Sequence, residues 1–197
     1  MTRYDFIANI YDTLLYPLEK STMNDFRKNF VPKIEGYTLD LAVGTGHNIE
    51  YYPPNSHVVL IDKSIEMLKI AKEKSKKRND LNLEFVHSSV EDLSFDDNTF
   101  DTILSIDVFC SVKNPYESMK NVKRVLKHDG KGIFVEHGLT GQLLKDIVLY
   151  LTNILTYPTV GSSMIRKPLE YIQYAGFNLL EYGHLKNSFY YFIVRKE

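Results

Sequence analysis

Apolar residues in this chain alternate between short dense runs and stripes spaced by three or four positions. The runs Thr38–Val43, His57–Asp62, Leu83–Val86, Thr102–Ile106 and Gly132–Glu136 are rich in β-branched and aliphatic residues. They read as strands buried on both faces. The stripes read as helices. Ser64 can cap one whose Ile65, Leu68 and Ala71 share a face. Asn114, Pro115 and Glu117 mark the start of another, with Met119, Val122 and Leu126 on its buried side and an Asp129-Gly130 turn after it. A third stripe, Leu169, Ile172 and Ala175, stops at Gly176. Two closing strands, Phe177–Tyr182 and Phe189–Val194, are joined through the short Lys186-Asn187-Ser188 connection and suit an antiparallel hairpin.

This alternation predicts an α/β protein with a doubly wound, seven-stranded sheet, mostly parallel and with an antiparallel C-terminal strand. Ligands in such sheets bind beyond the carboxyl ends of the strands, near the switch in strand order. Functional residues should therefore follow the strands. Residues 1–197 are expected to form one domain, with two regions outside the repeat: an N-terminal helical cap, 1–36, and a helical insertion over the substrate side, 139–168. Within the insertion, Leu143, Leu144, Ile147, Val148, Leu151, Ile154 and Leu155 recur at helical spacing and make one broad apolar face. That face suits packing on the core, a lid over an apolar substrate, a dimer contact or a membrane-surface helix. For the last, the polar positions Gln142, Lys145, Asp146, Thr152 and Asn153 carry little positive charge.

Composition narrows the partners. A chain of 197 residues, 44% of them hydrophobic, can bury one full core. A net charge of -1 argues against nucleic acid as the main partner. The basic run Lys72–Arg78 reads as a solvated helix end. The single cysteine, Cys110, excludes an intrachain disulfide and fits a reducing, cytoplasmic compartment. No Cys/His spacing suggests a metal site, and no apolar stretch approaches the ~20 residues of a membrane span.

The candidate chemistry starts after the first strand. Gly44 and Gly46 follow it, and Asp62 ends the second strand, where a carboxylate can accept hydrogen bonds from a ribose diol. A dinucleotide-binding turn would place a third glycine at the position of Ile49, so a pyrophosphate is disfavoured, and a Walker loop is absent. Leu39-Asp40-Leu41-Ala42-Val43-Gly44-Thr45-Gly46 resembles the first motif of the UbiE-type (ubiquinone/menaquinone biosynthesis) methyltransferases, a class I family dependent on S-adenosylmethionine (SAM). Val90–Asp101 and Arg124–Gly132 resemble later segments of the same family, so the likeness covers residues 38–138. It implies a Rossmann-like fold and SAM as cofactor. By the same resemblance, Asp40, Gly44, Thr45 and Gly46 serve the methionine end of SAM, and Asp62 and Lys63 its ribose. Ser89, Val90 and Glu91 would lie near adenine, and Ile106 beneath the cofactor. Ser89 stands where the family often has Asp or Asn.

Methyl transfer needs alignment and exclusion of water, and a base only where the acceptor must lose a proton. His137, at the end of the fifth strand, and Asp107, after the fourth, are candidate bases. Tyr11 resembles an N-terminal tyrosine of the family that closes over the cofactor, where a ring face can meet the sulfonium. His47, beside the loop, reads as helix surface. Phe109–Asn114 with Glu136-His137-Gly138 also resembles a membrane-associated branch that includes phospholipid and small-thiol methyltransferases. The expectation is methyl transfer to a small-molecule or lipid-like acceptor, with a homodimer as one use of the apolar face. A non-catalytic SAM-binding protein and an NAD(P)-dependent oxidoreductase are the alternatives.

Overall fold

The computed structural model describes residues 3–197, apart from the side chains of a few residues between Arg3 and Lys20. Helix α1 (Arg3–Leu18) leads through a π-turn into α2 (Asn24–Phe30), and the sheet then begins. Its strands are β1 (Tyr37–Leu41), β2 (His57–Asp62), β3 (Asn82–His87), β4 (Phe100–Ile106), β5 (Leu126–His137), β6 (Asn178–His184) and β7 (Phe189–Arg195). Helix α3 (Ile65–Ser75) joins β2 to β3, and α4 (Pro115–Val125) joins β4 to β5. Helices α5 (Leu143–Val160) and α6 (Pro168–Tyr174) precede the closing hairpin.

The strand order is β3-β2-β1-β4-β5-β7-β6. Pairings from β3 through β5 are parallel, while β7 runs antiparallel to both β5 and β6. The order reverses between β1 and β4, which opens the crevice expected at the carboxyl edge. Alternation along each strand divides the core between the two faces. Val59 and Ile61 of β2 pack with Met119 and Val122 of α4, whereas Val58 and Leu60 pack with Phe26 of α2 and Leu68 of α3. Dense apolar runs follow from burial on both sides.

The helix caps form as expected. Met67 N–H donates to the Ser64 hydroxyl, and Glu117 N–H donates to Asn114. The buried positions shift slightly. Met67 joins Leu68 and Ala71, and Ile65 turns half outward because the stripe is centred about a third of a turn away. Leu126 is buried as expected but is the first residue of β5, not the last of α4. Strand β1 ends at Leu41, before Val43, because Ala42 adopts a left-handed φ of 47° and breaks the extended run.

Candidate cofactor and acceptor site

A cavity of about 590 Å³, open to solvent, lies beyond the carboxyl ends of β1, β2, β3 and β4. Of the residues expected at the site, Tyr11, Gly44, Asp62, Lys63, Ser89, Val90, Glu91 and Asp107 line it. Gly44 has a φ of +57°, in the left-handed region that favours glycine, and a Cβ built there would meet only open space. The backbone can thus lie directly against a ligand. Asp62 is buried, with Oδ2 accepting from Gly44 N–H (2.9 Å) and Oδ1 from Ser64 N–H (2.8 Å). Burial raises its carboxyl above the ordinary range, against the lowering effect of those two bonds. Each oxygen keeps a second lone pair for a hydroxyl donor. Gly44 and the Asp62 carboxylate therefore fit the ribose and backbone side of SAM.

On the β3 side, the Ser89 hydroxyl donates to Glu91 (2.7 Å), and Lys113 N–H donates to its other oxygen (2.8 Å). Burial alone would raise the Glu91 carboxyl, but these bonds outweigh it and hold the group below its usual value. The serine that departs from the family pattern thus serves to fix its neighbour.

Five expected residues lie behind the cavity wall. Asp40 is fully buried and accepts hydrogen bonds from Asn48 (2.8 Å) and Tyr52, so it braces the loop from within. Its burial pushes the carboxyl up to about 6. The Thr45 hydroxyl donates to Asp12 of α1 (2.5 Å). Gly46 faces α3, where a Cβ would come within 3.0 Å of Ala71. Ile106 belongs to the core cluster that includes Val135. His137 is 4% exposed, its ring edge-on to Phe189, with Nε2 3.5 Å from Asp107 Oδ1.

Asp107 is the member of that pair that reaches the cavity. Its φ of 60° is left-handed, and its N–H donates to Val135 O (2.7 Å), which pins this strained turn to β5. Asp107, Cys110 and His137 hold potential metal-ligand atoms within 4.8 Å of one another. Asp107 Oδ1 and His137 Nδ1 are buried without hydrogen-bond partners among the described residues. Beneath them, Glu136 accepts from the Ser105 hydroxyl (2.7 Å) and from Phe109 N–H (3.0 Å). Its burial, followed by the Asp107 charge, pushes its carboxyl to about 8.

Sequence reasoning missed how α1 is tied to the loop. Asp12 accepts from Thr45, lies 2.9 Å from His47 Nε2 and pairs with Lys74 Nζ (2.6 Å), so His47 and one lysine of the basic run are structural partners. The Ser64 hydroxyl donates to Asp5 (2.5 Å). These bonds hold Tyr4 and Tyr11 against the cavity, their rings edge to face at 6.3 Å. Burial pushes the Tyr4 phenol to about 12. No local pattern marks Tyr4 among 14 tyrosines.

A glycine loop after β1, an acid at the end of β2 and an antiparallel β7 together make the architecture of the class I SAM-dependent methyltransferase fold. Residues 39–134 match the family model described as a methyltransferase domain. The chain is 31% identical over 140 residues to the ubiquinone/menaquinone biosynthesis C-methyltransferase UbiE of Sinorhizobium fredii, covering 68% of this chain and 54% of that protein. It is 29% identical over 134 residues to the human thiol S-methyltransferase TMT1B, covering 63% of this chain and 55% of that protein. Within the class, the chain is UbiE-like. It spans about half the length of these relatives. A Thermotoga maritima structure described as a SAM-dependent methyltransferase, possible histamine N-methyltransferase, shares the fold with a TM-score of 0.75 at 17% identity, covering 99% of each chain.

Proposed function

We propose that this protein binds SAM in the cavity beside Gly44 and Asp62 and transfers its methyl group to a small-molecule or lipid-like acceptor. The observation that carries the reading is the Asp62 carboxylate, fixed by Gly44 and Ser64 N–H at the edge of a cavity where glycine leaves the backbone bare. When bound, SAM supplies an electrophilic methyl on a sulfonium. Lys63, Ser89, Val90 and Glu91 line the adenosine side, and Tyr4 and Tyr11 of α1 close over the opposite side and exclude water. Asp40, Thr45 and Gly46 shape the loop from behind, and Ile106 supports the cavity floor through the core.

Asp107 is the proton acceptor in this reading, because it lines the cavity. His137, buried behind it, is a positioning residue that stabilises the carboxylate's orientation. An acceptor X–H held beside Asp107 would lose its proton to Oδ2, Oδ1 being buried toward His137, as the new X–C bond replaces the methyl–sulfur bond. UbiE is by name a C-methyltransferase of ubiquinone/menaquinone biosynthesis and TMT1B a thiol S-methyltransferase, and a small or lipophilic acceptor is consistent with both. A cytoplasmic setting fits the lone buried Cys110 thiol.

Calorimetry with S-adenosylhomocysteine tests the reading. The folded protein should bind it, and Asp62→Ala should weaken binding by about 10- to 100-fold, the loss expected for hydrogen bonds to a charged group. Absence of binding by SAM and its product would overturn the assignment. Binding without turnover across thiol, phenol and lipid acceptors would instead favour a non-catalytic SAM-binding protein.

A further inference from the structure

Helix α5 is inside out. None of its residues is buried, and Leu143, Leu144, Val148, Leu151, Ile154 and Leu155 are each 59–79% exposed. The half-buried stripe that faces the body is instead mostly polar: Asp146, Leu149, Thr152, Asn153, Thr156 and Val160. That inner stripe is firmly held. Asp146 accepts from Thr140 N–H (2.7 Å) and Gly141 N–H (3.0 Å), Asn153 accepts from Met164 N–H (2.9 Å), and Gly161 caps the end in a left-handed conformation. The outward apolar face is therefore the seated orientation of this helix. An apolar patch of this extent on a chain surface marks an interaction site.

From Ile147 to Val160 the helix carries no charged side chain. Its last turn opens onto a second cavity of about 1130 Å³, lined by Tyr157 and Val160 together with Lys63, Lys113 and Arg166. This cavity shares Tyr4, Lys63, Glu91, Ser111 and Val112 with the cofactor pocket, so the two adjoin. Phe6 and Ile10 of α1 are also exposed. Among the described residues no helix is long and apolar enough to cross a membrane. An apolar, uncharged helix stretch about 21 Å long, beside a mouth where Lys63, Lys113 and Arg166 outnumber the single carboxylate of Glu91, matches the surface of an anionic bilayer: acyl chains against α5, headgroups against the cations.

We infer that α5 is a bilayer-surface element that lies in an anionic lipid interface and delivers a lipophilic acceptor through the second cavity to the cofactor pocket. This deepens the proposed function and rests on it only for what occupies that pocket. The polar positions Asp146, Thr152 and Asn153 are on the side that faces the protein; the cations come from the residue after β2, from the segment before α4 and from the segment before α6.

Co-sedimentation of the full chain with phosphatidylcholine vesicles, with and without phosphatidylglycerol, is the test. The chain has no tryptophan, so Tyr150→Trp provides a single emission reporter on α5. The expected results are partition into vesicles, tighter on the anionic ones, and a blue shift of the reporter. The double variant L151E/I154E should lose at least about tenfold in the bound fraction, with S-adenosylhomocysteine binding intact. A folded, ligand-binding protein that partitions into neither vesicle would overturn the inference. So would a stable dimer that the same double variant disperses while vesicle binding is absent. Vesicle binding without S-adenosylhomocysteine binding would leave the surface role standing and remove the methyltransferase reading.

Discussion

Of the described non-glycine residues with left-handed φ, Ala42 and Asp107 line the cavity, both just past a strand. Such conformations cost of order 1–3 kcal/mol each and persist only where surrounding bonds enforce them. For Asp107 the enforcing bond is to Val135 O. Asp107→Asn preserves size and tolerance for the left-handed region but cannot accept a proton. It should lower kcat by about 100-fold or more, within the range of general-base removal, and leave the affinity for SAM in place; a split between kcat and ligand affinity is the readout. Glu136 has a different consequence. Its native carboxyl titrates near 8, above the ordinary 4.5. Between those values the native state holds a proton that the unfolded chain has released, so stability is fully present below about pH 4.5 and is lost as pH rises through 8. Melting temperature should fall across that window. Glu136→Gln, which can still accept from Phe109 N–H and engage Ser105, should flatten the profile.

Helices decide who closes the cavity. Helix α1 contributes Tyr4 and Tyr11 to the wall, and Asp12 holds it through Thr45, His47 and Lys74. Partly exposed ion pairs contribute little individually, but this carboxylate has three partners. Asp12→Ala should therefore raise the dissociation constant for S-adenosylhomocysteine by about tenfold, one or two hydrogen bonds' worth, with little change in the sheet's circular dichroism. Helix boundaries and caps were legible because Ser64, Asn114 and Gly176 act on neighbours in sequence. The direction in which α5 faces was not. Its periodicity announces an apolar face, and packing on the core was a reasonable expectation, but spacing is the same whether that face turns inward or outward.

At the scale of the molecule, a ligand that binds only the native state stabilises it by mass action. At about 100 times its dissociation constant, S-adenosylhomocysteine should add ~2.7 kcal/mol, raising the melting temperature by roughly 5–10 °C for a chain of this size; no shift at saturating ligand would contradict the cofactor assignment. The sequence alone determined the alternation of strands and helices, the glycine loop, Asp62 and the antiparallel close of the sheet. These depend on local propensity, side-chain period and short-range spacing, which a linear pattern records. Tertiary structure decided the rest. It moved Asp40, Thr45, Gly46, Ile106 and His137 behind the wall, brought Tyr4 across to the ends of β2 and β4, made Asp107 the exposed partner of His137, and turned the apolar side of α5 toward solvent. Each of these depends on which residues, far apart in sequence, the crossover topology places side by side, and a one-dimensional spacing does not encode that.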